Sequence, residues 1–158
     1  MPRSYANPRL ESVIQVDKDC HPSKRLEGFW VVATVDTFKN LGVTVEKIQR
    51  TRTTNGNHYY ISITPEVHAR VANQLQFLAG DDARRVGFNE ARLCAGLQKF
   101  VSWNLLFEPV GKRRVTIYTR KEPKDANGGR PWLTLRYINI RSPSSRSLQS
   151  PEGSVSYS

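Results

Sequence analysis

Catalysis of hydrolysis would need a histidine pair or carboxylates converging on one point. The chain holds three histidines, His21, His58 and His68. His58 opens an apolar run and His68 follows Val67, so neither position suggests a proton relay. Carboxylates are scattered, and the one adjacent pair, Asp81-Asp82, precedes a helical pattern, where acidic groups cap and solvate. Cys20 and Cys94 form no C-x-x-C motif, and neither a zinc-finger spacing nor a Walker loop occurs. Gly128-Gly129 reads as a turn rather than a phosphate cradle. The expectation is a protein that is not an enzyme, with no catalytic residues, no metal and no cofactor.

The residue types that do recur are cations interleaved with aromatic rings. Of the 158 residues, 24 are Lys or Arg and 14 are Asp or Glu, for a net charge of +10. Residues 1–98 are close to balanced at net +3, whereas residues 99–141 carry net +7. Lys112, Arg113, Arg114, Arg120, Lys121, Lys124, Arg130, Arg136 and Arg141 supply most of that excess, with Tyr118, Trp132 and Tyr137 among them. Cations pair with phosphates and release counterions, and flat rings stack on unpaired bases. Arginine does either, as a fork on phosphate or a plane on a base. These twelve residues are therefore the expected nucleic-acid contacts. Arg50, Arg52, Arg84 and Arg85 are secondary basic positions that count only if the fold brings them to the same place.

Positioning such a site falls to a C-terminal hairpin. Arg114 to Arg120 alternates, with Val115 and Ile117 on one face and Thr116 and Tyr118 on the other, so Tyr118 and Arg120 are expected to point away from the core. Trp132 to Ile140 is the expected return strand, after a polar loop from Lys121 to Gly129. Upstream, Phe29 to Val35 is rich in β-branched and aromatic residues and reads as a strand. Val43 to Thr53 and His58 to Thr64 read as two more, joined by an Asn55-Gly56 turn. Thr64-Pro65-Glu66 reads as a helix start, with Val67, Val71, Leu75 and Leu78 as its buried stripe and Gly80 as its end. A second helix is expected from about Asn89 to Trp103, with Leu93, Leu97, Phe100 and Val101 inward.

This order, three strands, two helices and two strands, predicts an α+β fold: a mostly antiparallel sheet with helices packed on one face. The other face is then left for solvent or a ligand. The domain is expected over residues 26–141. Residues 1–25 read as a flexible arm, with Val13 to Val16 as a short edge strand. Residues 142–158, eight of them Ser, read as a disordered tail.

The polar start, Met1 to Arg9, lacks the apolar run of a secretory signal, and no stretch reaches the ~18 apolar residues of a membrane span. An intracellular protein of cytoplasm or nucleus is expected. Its partner is RNA or single-stranded DNA in preference to duplex, since no recognition helix is evident. The alternative is a structural or assembly protein, a capsid-associated or scaffold subunit in which the basic surface neutralises packaged nucleic acid. A homo-oligomer would suit that alternative.

Overall fold

A computed structural model describes residues 10–96, 103, 104, 106 and 111–121. Along the chain run β1 (Leu10–Lys18), α1 (Lys24–Asn40), β2 (Thr44–Arg52), β3 (Asn57–His68), α2 (Ala69–Leu78), α3 (Ala83–Cys94) and β4 (Val115–Thr119). The four strands form one antiparallel sheet in the order β1-β3-β2-β4. The expected α+β class holds. The expected return strand Trp132 to Ile140, the loop before it, the helix residues from Leu97 to Ser102 and the tail 142–158 lie outside the described residues.

The first expected strand is a helix. Phe29 to Val35 falls inside α1, whose buried side chains Val31, Thr34, Val35 and Phe38 recur at helical spacing. Phe29 remains exposed, which a two-residue period would not predict. Local signals outweigh β-branched composition here. Ser23 caps the start by accepting from the Leu26 amide at 3.3 Å, Glu27 sits in the first turn, and Lys39 sits in the last. At the far end Gly42 adopts φ +79, with its amide on the Lys39 carbonyl and the Val43 amide on that of Phe38. That is a complete Schellman stop.

Of the expected loose arm, residues 1–9 lie outside the described residues, and residues 10–25 belong to the fold. Leu10 to Lys18 is a full edge strand with Ile14 and Val16 buried, and α1 begins at Lys24 rather than after residue 25. This long β1 explains a second correction. Thr64 does not cap a helix, because Thr64 pairs with Thr44 while Val67 and His68 pair with Glu11 and Leu10. Strand pairing carries β3 through Pro65, at a register shift where its missing amide costs no ladder bond. The helix starts instead at Ala69 and buries Ala69, Ala72, Leu75 and Ala79, so Val71 and Leu78 are exposed. Gly80 ends it as expected, at φ +81. In α3 the cap is Asp82, which accepts from the Arg84 amide at 3.0 Å, and Asn89 is buried mid-helix rather than capping.

The core lies on one face of the sheet. Ile14, Ile61, Ile48 and Tyr118 stand in register across all four strands and are all buried. α1 and α2 cover this face with Val31, Val35, Phe38, Ala72 and Leu75, and Trp30 rests on Tyr59 with ring centroids 4.3 Å apart. α2, the turn after it and α3 together close the β1 edge. Arg85 and Gln76 donate to the Gln15 carbonyl at 3.2 and 2.7 Å, and Asp81 accepts from the Asp17 amide at 2.7 Å.

Candidate nucleic-acid interface

β4 does not stand apart from the earlier basic residues; it pairs with β2. Lys47 is opposite Thr119, Ile48 opposite Tyr118, Gln49 opposite Thr116 and Arg50 opposite Val115. Lys47, Arg50 and Arg52 on β2 thus join Lys112, Arg113, Arg114, Arg120 and Lys121 at one edge of the sheet. Within β2 and residues 111–121 there are eight cations and one carboxylate, Glu46.

The cations differ in what they already do. Arg50 donates to both oxygens of the buried Glu27, at 2.9 and 2.8 Å, so it ties β2 to α1. Arg120 pairs with Glu46 at 3.0 Å in the open. Lys112, Arg113 and Lys121 are exposed on the approaches to β4, and Arg52 is exposed at the end of β2. The Arg114 guanidinium lies over the Tyr60 ring, 3.8 Å from its centroid, close enough for a cation–π contact.

Arg84 and Arg85 are not part of this cluster. They sit on α3 against β1, at the opposite edge of the sheet. Arg85 is an internal strut: its side chain is 11% exposed, ion-paired to Asp81 and hydrogen-bonded to Asn104. Burial pushes the Asp81 carboxyl up from its ordinary range, and the Arg85 charge opposes that push.

Tyr118 also departs from expectation. A register shift between Ile48 and Gln49 places both Ile117 and Tyr118 inward, and Tyr118 is 4% exposed in the core. A bulge turns consecutive side chains to one side, which a strict two-residue alternation misses. Its ring is not a stacking surface, and burial raises its hydroxyl pKa above the ordinary tyrosine range. Lys124, Arg130, Trp132, Arg136, Tyr137 and Arg141 lie outside the described residues.

The face away from the helices is polar. Gln15, Tyr60, Gln49 and Thr116 form one row across it, and Asp17, His58 and Thr51 the next. Tyr60 is buried yet stands outside the hydrophobic core cluster. Sequence reading missed this set. The available signal was alternation: Tyr59, Ile61 and Ile63 inward put His58, Tyr60 and Ser62 on the opposite face.

No known family, curated protein or solved structure matches the chain. Among the described residues no helix is long and apolar enough to cross a membrane, and no group of three His, Cys, Asp or Glu could hold a metal ion.

Proposed function

We propose that this protein binds nucleic acid, RNA or single-stranded DNA, through the basic edge formed by β2, β4 and the approaches to β4. The observation that carries the reading is the pairing of β2 with β4, which joins two basic segments far apart in sequence into one strip. Lys112, Arg113, Lys121, Arg52 and Lys47 supply phosphate contacts, and Arg114 with Tyr60 supplies a planar surface. Lys124, Arg130, Trp132, Arg136, Tyr137 and Arg141 are candidate contacts on residue type alone.

Such a strip works by counterion release, so its affinity falls steeply with salt. Filter binding of single-stranded oligonucleotides over a salt series tests it. The triple variant Lys112→Ala, Arg113→Ala, Arg114→Ala should bind more weakly and flatten the salt dependence by about one unit of slope per lost phosphate contact. Binding that ignores salt, or no binding to any oligonucleotide, overturns the reading.

A further inference from the structure

Nine large apolar side chains are exposed among the described residues, and six of them stand on the helices. Leu26 and Phe29 are on α1, Val71, Phe77 and Leu78 on α2, and Phe88 on α3. Each helix turns its buried stripe inward, so these six point off the molecule. Phe88, at 64% the most exposed of them, stands beside Gly87 and Ala91, which have little or no side chain to cover its ring. The three helices lie side by side. Trp30 Nε1 donates to the Ala79 carbonyl at 2.8 Å, which sets the start of α1 against the end of α2. Asn73 Nδ2 donates to the Val86 carbonyl at 3.1 Å, and Arg70 pairs with Glu90 at 3.4 Å, which sets α3 against α2. Together the six side chains leave on the order of 600 Å² of apolar surface in water, the upper end of what a monomer exposes and a size that marks an interaction site.

Charge on this face selects the partner. α2 and α3 expose Arg70 and Arg84 and no Asp or Glu, and α1 exposes Lys24, Arg25 and Lys39 against Asp36. The Arg25 guanidinium lies 5.6 Å from the Phe29 ring centroid. A second copy of the chain meeting this face would set arginine against arginine. A nucleic acid would meet the arginines but leave Leu26, Val71 and Leu78 against phosphate, with no gain from their burial. An anionic bilayer takes both kinds of side chain. Its acyl boundary receives the apolar groups, and its headgroup phosphates receive the cations, whose long stems reach up from the same plane.

We propose that the outward face of α1, α2 and α3 docks on an anionic lipid bilayer, with Phe77, Leu78 and Phe88 entering the acyl boundary and Arg25 and Arg84 on headgroup phosphates. The molecule then lies on the membrane surface, as amphipathic helices do. α2 packs over β1, and α3 against α2, so the docking rings sit away from the β2–β4 edge. A docked molecule therefore keeps that basic edge open to a second polyanion.

The test is flotation of the full chain with phosphatidylcholine vesicles, with and without about 30% phosphatidylserine. The chain should float with the phosphatidylserine vesicles and much less with phosphatidylcholine alone. The double variant Phe77→Gln, Phe88→Gln should bind the anionic vesicles about a hundredfold more weakly, roughly tenfold for each ring withdrawn from the acyl boundary. Both rings are exposed, so its melting temperature should match the parent's. Arg84→Gln should weaken binding about fivefold on anionic vesicles and leave phosphatidylcholine binding unchanged. Neither variant should alter oligonucleotide binding. A chain that ignores phosphatidylserine vesicles overturns the proposal. So does a Lys112→Ala, Arg113→Ala, Arg114→Ala variant that no longer floats while the phenylalanine variant floats like the parent, because the basic edge then holds the lipid. A dimer in sedimentation equilibrium that the phenylalanine variant dissolves would assign the face to a second copy and overturn it as well.

Discussion

Tyr59 shows how much of this molecule is held by polar groups inside the core. Its hydroxyl donates to Glu27 Oε1 at 2.9 Å and accepts from Asn57 Nδ2 at 3.3 Å, while Glu27 also takes the Arg50 guanidinium. Burial first, then the negative charge of Glu27, pushes the tyrosine pKa far above its ordinary range. The unfolded chain loses this proton near pH 10, and the folded chain does not. Above that pH the native state binds more protons than the unfolded state, so stability falls as pH rises. The contribution is fully present below about pH 10. Urea unfolding followed by far-UV circular dichroism, from neutral pH to about pH 11, checks this. Tyr59→Phe should lower stability at neutral pH by about 1–2 kcal/mol, since Glu27 and Asn57 lose a partner. It should also lose stability less steeply above pH 10 than the parent, with Tyr118, whose pKa burial raises as well, leaving a residual slope. An unchanged alkaline slope would mean that Tyr59 titrates alike in both states.

At the scale of elements, α1 depends on its ends more than on its composition. Its middle, Phe29 to Val35, favours a strand by residue type, so Ser23 at the start and Gly42 at the stop carry the helical choice. Ser23→Ala should cost about 1 kcal/mol, and Ser23→Asp, which can still cap, should cost close to nothing. Equal losses in urea unfolding would show that the cap contributes nothing. The same helix shows what was legible beforehand. Asn55-Gly56 marked the β2–β3 turn and Gly80 marked the end of α2, because each signal is local and nothing competes with it. Thr64-Pro65-Glu66 was equally local, yet β1 offered pairing partners to Val67 and His68, and β3 ran on through the proline. The inward turn of Tyr118 was illegible for a related reason. It follows from a register shift against β2, and register is a property of two strands together. The basic cations themselves were plain in the sequence; which of them share an edge was decided by strand order.

Strand order is therefore what turns a bulk charge of +10 into a placed one. β1 and β4 are the two edges, about 14 Å apart at the usual spacing between strands. Arg84, exposed on α3, lies at the β1 edge, and Lys47 lies beside β4. The Debye length at about 0.1 M salt is about 10 Å, so charges at opposite edges act almost independently on a bound strand. Arg84→Ala and Lys47→Ala remove the same single charge from the same total. If net charge alone attracts the polyanion, the two variants bind single-stranded oligonucleotides equally. If the β2–β4 strip is the interface, Lys47→Ala lowers the salt slope by about one unit while Arg84→Ala leaves it where it was. Filter binding of both variants beside the parent, at several salt concentrations, separates these outcomes. An equal loss in both would return the charge to a property of the whole surface and remove the reason to assign an interface to β2 and β4.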